Sequence, residues 1–186
     1  MEKKYSVAIY PSQEVIDSIK IMKEYLASKI GWFNSKNSTA HITICEFTIA
    51  ETELEKIKIK LSKICDSFTP LQIYLNHFDF YKNGAFFIAL TKKSKEELIP
   101  IMKKTQDSLR FPNLKKSKDP HISIGRKLTP ENLKIASHLF TTIEINFLCD
   151  TIVLRELDPI KKQFFVLNSF SFNNNPQPEF IQGSLF

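Results

Sequence analysis

His41-Ile42-Thr43-Ile44 and His121-Ile122-Ser123-Ile124 repeat one four-residue phrase eighty positions apart. Each phrase alternates polar and apolar residues, the pattern of a strand with one buried face. Successive side chains of a strand point to opposite faces, so His41 and Thr43 share one face while Ile42 and Ile44 share the other. The same holds for His121 and Ser123 against Ile122 and Ile124. Two strands that each offer an imidazole and a hydroxyl to a common space make a site suited to a phosphate ester.

Outward from these strands the chain repeats its pattern. Tyr5 to Tyr10 reads as a strand, and Gln13 to Lys29 as a helix with Val15, Ile16, Ile19, Met22 and Leu26 at helical spacing. A polar loop over Asn34 to Ser38 leads to the first motif strand, Ala40 to Phe47. A second helix spans about Glu51 to Ser67, and Leu71 to Phe80 alternates as a strand. Asn83-Gly84 is a hairpin turn. The order then recurs: strand Ala85 to Thr91, helix Ser94 to Leu109, a lysine-rich loop Phe111 to Asp119, and the second motif strand. Pro100 is expected to delay the start of that helix or to kink it. Thr129-Pro130-Glu131 opens a short helix with an N-cap, an N1 proline and an acidic first turn. Closing strands fall near Ile143 to Phe147, Thr151 to Leu157 and Gln163 to Phe172. The expectation is a single α+β domain over 1–172, with repeat units of about 5–80 and 85–160. An irregular tail is expected over 173–186.

At 186 residues, with 42% apolar and 25% charged residues, the composition is that of a globular domain with a substantial interior. No apolar run approaches the roughly 20 residues of a membrane helix. The N-terminus lacks a secretory apolar stretch, so a cytoplasmic location is expected. Cys45, Cys65 and Cys149 are too few and too dispersed for a disulfide framework and suit free buried thiols. The net charge of +6 is compatible with an anionic partner. Lys115, Lys116, Lys118, Arg126 and Lys127 concentrate that charge around the second motif; a solvated loop explains the cluster as simply.

Taken bare, a histidine followed two positions later by Ser or Thr is a weak signal in a chain with 16 Ser and 11 Thr. Three features sharpen it here. Both copies lie in β-type alternation, both occupy the same slot of the repeat, and both end on Ile. His77 and His138 fail the pattern. Zinc would require three or four ligands within about 2.3 Å. Cys45 shares a face with His41 but stands about 13 Å along a regular strand, so no metal and no cofactor are expected.

These motifs resemble those of the 2H phosphoesterases, in particular the 2′–5′ RNA ligase-like and 2′,3′-cyclic phosphodiesterase branch. The second motif extends to Gly125 and Arg126, and the resemblance covers Tyr5 to about Phe172. It implies a bilobal, pseudo-twofold duplicated fold of two antiparallel sheets backed by helices around a central cleft. It also implies a metal-independent site acting on nucleotides or RNA with a terminal 2′,3′-cyclic phosphate or a 2′–5′ linkage, with reversible ligation as a companion activity.

In such a reaction His41 and His121 supply acid and base. Thr43 and Ser123 donate to the non-bridging oxygens. For hydrolysis His121 is read as base and His41 as acid, the roles exchanging in reverse. Arg126 is out of step with His121, so a regular strand turns it away from the cleft, where a structural ion pair would serve it as well as phosphate. Tyr10, Phe78, Phe80 and Tyr81 are candidate base-stacking rings, against a background of 16 phenylalanines suited to the core. Lys118, with Lys115 and Lys116, is a candidate contact to an RNA backbone. A monomer is expected. The alternative is a nucleotide- or RNA-binding module that has lost turnover.

Overall fold

A computed structural model describes residues 1–175. The expected tail therefore lies mostly outside the described residues. Asn174 and Asn175 donate their backbone N–H groups to the carbonyls of Phe68 and Asp66.

The fold is α+β, with nine antiparallel strands and four α-helices among the described residues. The elements run β1 (Glu2–Ile9), α1 (Gln13–Ile30), β2 (Ile42–Ala50), α2 (Leu54–Asp66), β3 (Leu71–Tyr81), β4 (Ala85–Leu90) and α3 (Lys92–Leu109). Then come β5 (Lys115–Lys116), β6 (His121–Gly125), α4 (Pro130–Leu139), β7 (Ile145–Cys149), β8 (Thr151–Asp158) and β9 (Gln163–Ser171). The strands form one sheet in the order β7-β3-β4-β6-β2-β1-β8-β9, with β5 paired to β2. The two expected sheets are thus joined. The join is a single pair, Ile42 with Ile122, between the motif strands.

About this seam the strands exchange. β3 follows α2 in the chain but pairs with β4, while β8 pairs back to β1. Side chains of all four helices join one buried core with Ile42, Ile44, Ile122 and Ile124: Ile19 and Leu26 of α1, Leu61 of α2, Leu98 of α3 and Ala136 of α4. The helices thereby bury the isoleucine face of both motifs and leave the histidine face open. No helix among the described residues is long and apolar enough to cross a membrane. All three cysteines are buried and free.

Two local departures from the sequence expectations have clear causes. α3 starts at Lys92, capped by the Thr91 hydroxyl, which accepts from Ser94 N–H. Pro100 lies mid-helix and does not delay the start. The lysine-rich loop contains a two-residue strand, β5, set against Cys45 and Glu46. At the β3–β4 turn Gly84 has φ +86°, and its carbonyl accepts from Leu128 N–H at 2.9 Å. A Cβ there would collide with the Leu128 backbone, so glycine is required for both conformation and space.

Candidate active site

The seam sets the site. Ile42 and Ile122 are antiparallel partners. Continuing that register by one residue in each direction puts His41 across from Ser123 and Thr43 across from His121. All four side chains are half-buried, while Ile42, Ile44, Ile122 and Ile124 are fully buried on the opposite face. One quadrilateral of two imidazoles and two hydroxyls therefore straddles the centre of the sheet.

Both rings are anchored alike. His41 Nδ1 is 2.6 Å from the Thr39 carbonyl, and His121 Nδ1 is 2.8 Å from the Asp119 carbonyl. A carbonyl can only accept, so Nδ1 carries hydrogen in each and Nε2 is left for chemistry. Around His121 pack Phe87 at 4.6 Å and Tyr81 at 5.7 Å between ring centroids. The Tyr81 hydroxyl donates to the Asp119 carboxylate, which also pairs with Lys95. Beside His41 stands Tyr10, 6.3 Å away.

The charge around the two rings differs. Burial lowers the pKa of both. For His41 the Arg155, Lys23 and Arg126 charges push further down, opposed by the Thr39 carbonyl, leaving it well below the usual imidazole value. For His121 the Asp119 carbonyl and carboxylate pull back up against burial, Arg126 and Lys95, and the net direction is still downward. The nearby charges thus differ in sign: cations alone face His41, while the Asp119 carboxylate also faces His121.

A cavity of about 430 Å³ opens along the His41 side, walled by Tyr10, Trp32, Ser123, Arg126, Arg155 and Phe164 among others. Arg126 in this wall corrects the strand-based expectation. Opposite Phe86 and Phe87 stand Gly125 and Ser123, so Ile124 is the extra residue of a β-bulge. The bulge reverses the alternation and returns Arg126 to the histidine face. The first motif has the matching irregularity. Val7 and Ala8 pair with Cys45 and Thr43, leaving Ile44 over, and Glu46 turns into the same cavity.

Other candidates fall elsewhere. Phe78 stacks on Phe86 at 5.5 Å and packs against Phe140 of the helix layer. Phe80 alternates onto that same face, about half-exposed. Lys118 lines a separate groove along α3 with Ile99, Met102 and Gln106. Of the four aromatic candidates, Tyr10 and Tyr81 reach the histidine face. Sequence reasoning missed Arg155 and Phe164. The only hint was a cation at the centre of the apolar strand Ile152-Val153-Leu154-Arg155. Among the described residues no three His, Cys, Asp or Glu side chains gather within reach of one metal ion.

Lys23 of α1 supports the His41 loop. It is 1% exposed, and its Nζ donates to the Ser38 carbonyl at 2.7 Å and to Ser38 Oγ at 3.1 Å. Burial brings its amine down to about 8 from 10.5. Between these values the unfolded chain binds the extra proton, so this lysine's contribution to stability rises with pH through that window and is lost as pH falls. Buried Cys45, Cys65 and Cys149 thiols, pushed up to about 12, act in the opposite sense above about pH 9. The lysine's share is therefore read by difference. In urea titrations the stability of wild type relative to Lys23→Met should rise by about 1.4 kcal/mol per pH unit between pH 8 and 10; a flat difference would place the amine outside that window.

A family model described as the 2′-5′ RNA ligase superfamily matches residues 11–159. No curated protein matches the chain by sequence. Solved structures similar to it include TT0787 of Thermus thermophilus, with 16% identity and TM-score 0.67, covering 92% of this chain and 99% of the other. E. coli LigT complexed with 3′-AMP shows 11% identity and TM-score 0.67, covering 92% and 99%. Kluyveromyces marxianus Usb1 with uridine monophosphate shows 12% identity and TM-score 0.55, covering 90% and 97%. At these identities the likeness is one of fold.

Proposed function

Because the chain belongs to the 2′-5′ RNA ligase superfamily, we propose that it is a phosphodiesterase cleaving 2′,3′-cyclic phosphates or 2′–5′ linkages of nucleotides or RNA ends. The observation that carries this reading is the seam register, which faces His41 with Ser123 and Thr43 with His121 on one open surface. Its solved neighbours include proteins holding 3′-AMP and uridine monophosphate, which supports a nucleotide in the cleft.

For hydrolysis, water attacks phosphorus and gives its proton to one imidazole Nε2, while the other Nε2 protonates the departing ribose oxygen. In-line displacement puts these two groups on opposite sides of phosphorus, as one histidine per motif strand permits. The Thr43 and Ser123 hydroxyls and the Arg126 guanidinium meet the charge on the non-bridging oxygens. On this reading the roles are the opposite of those expected from sequence: His121, beside the Asp119 carboxylate, acts as acid, and His41, disfavoured as a cation by burial first and by Arg155, Lys23 and Arg126 after it, acts as base. Resealing by a ribose hydroxyl is the same path reversed.

Activity needs one ring protonated and one neutral. Both rings titrate below the ordinary 6.5. The optimum of kcat/KM should therefore lie on the acid side of pH 6.5, falling toward alkaline pH as His121 loses its proton. A pH–rate profile checks this, and an optimum above pH 7.5 would contradict it.

The reading itself is tested by incubating the protein with 2′,3′-cyclic mononucleotides and a 2′–5′ dinucleotide in EDTA and separating products by chromatography. Ring opening or cleavage is expected. Binding of these compounds without turnover would leave only the binding-module alternative.

A further inference from the structure

We propose that Arg155 forms a second phosphate-binding subsite on the His41 side of the cleft, so that the substrate carries two phosphate groups. The inference rests on the phosphodiesterase reading and adds to it the number and placement of substrate charges.

Arg155 is 2% exposed, yet it makes no ion pair among the described residues. Nη2 donates to Ser6 Oγ at 2.7 Å, and buried Nε has no partner. Of the groups that favour its charge the Tyr10 hydroxyl comes first, within hydrogen-bonding reach, and Glu46 attracts it more weakly from across β1 while bonded to Lys4 at 2.6 Å. A buried guanidinium without a carboxylate is costly, and an anion from outside is what would relieve it. The Tyr10 and Phe164 rings, at 5.7 and 5.1 Å, hold the group in place where it joins the cavity wall. Exposed Lys161 and Lys162 of the β8–β9 turn extend the positive strip along that wall.

The placement makes this a second subsite. Arg155 pairs with Ser6, and Ser6 with Glu46, whereas Thr43 pairs with Ala8. Two strands across and two residues along put the Cα atoms of Arg155 and Thr43 roughly 12 Å apart. The sheet gives the other arm a different character. There Tyr81 pairs with Ala85 on β4 much as Arg155 pairs with Ser6 on β1, and Tyr81 donates to Asp119. The Arg155 arm carries a guanidinium without an ion pair among the described residues, whereas on the other arm the Asp119 carboxylate is already bonded to Tyr81 and paired with Lys95, so the free positive charge lies on one side of the cleft.

Binding, unlike turnover, tests the subsite independently of the phosphodiesterase reading. Calorimetric titrations would compare 3′-AMP, adenosine 3′,5′-bisphosphate and the dinucleotide ApA 3′-phosphate. Wild type should bind at least one of the two-phosphate compounds about tenfold or more tighter than 3′-AMP, with the advantage shrinking as salt rises. The bisphosphate arm reports a terminal phosphate and the dinucleotide arm an internucleotide one. In Arg155→Gln the affinity ratio should fall to about one, and Arg155→Lys should restore part of it. Equal affinities in wild type would overturn the proposal even if Arg155→Gln fails to fold. So would a ratio that survives in a folded Arg155→Gln. Absence of turnover on cyclic phosphates, with the affinity ratio intact, would remove the enzymatic reading and leave the subsite standing.

Discussion

Replacing His41 or His121 with alanine should lower turnover of a 2′,3′-cyclic nucleotide by about 10³-fold or more, each change removing one proton-transfer partner worth about 10²–10⁴-fold. Both rings are half-buried at the cleft and anchored through Nδ1 to loop carbonyls. Their loss leaves the isoleucine core untouched, so thermal unfolding should change little. The double variant should lose little more than either single one, because the two groups act on one step. An aryl phosphodiester separates the roles. Its leaving group departs without a proton, so His121→Ala should recover most of its activity on that substrate while His41→Ala stays inactive. The opposite pattern would restore the assignment of His121 as base.

Ile122→Ala is expected to be the most damaging single change that touches no reacting group. Ile122 is fully buried and pairs with Ile42 on one side and Ile88 on the other. Among the described residues it is half of the one pair that joins the motif strands. Truncating a buried isoleucine costs about 2–5 kcal/mol. Here the cavity opens at the point that sets the separation of His41 from His121, and a misplacement of about 1 Å can cost about 10²-fold in rate. Leu61→Ala, equally buried on α2, provides the control. Both variants should lose similar stability in urea, but only Ile122→Ala should lose kcat by tenfold or more under conditions where both are folded. Equal kcat values would mean that the seam does not position the histidines.

Why the motif strands and most helices were legible in the sequence is clear from the residues. Period-two alternation and Thr-Pro-Glu capping act locally, within a few positions. The β-bulges at Ile44 and Ile124 were not legible. Each is a backbone accommodation to the neighbouring strand, and the isoleucine at each bulge carries no mark of it. That one extra residue reversed the predicted facing of Arg126. Phe78 and Phe80 could have been separated from Tyr81 by alternation alone, since residues two apart share a face and neighbours do not. Arg155 was hidden for another reason. Its surroundings, Ser6, Tyr10 and Phe164, come from β1 with its trailing residue and from β9, and it takes the β1–β8 and β8–β9 pairings together to gather them. β5 is two residues long and gains its definition from β2.

The central claim is that two imidazoles grip one phosphorus. Histidine-selective NMR during titration with inorganic phosphate tests it most directly. The side-chain resonances of His41 and His121 should move together, with one dissociation constant shared by both rings whether or not a second phosphate binds at Arg155, and both rings should titrate at higher pH once the anion is bound. Movement of one ring alone, or two unequal dissociation constants, would contradict it.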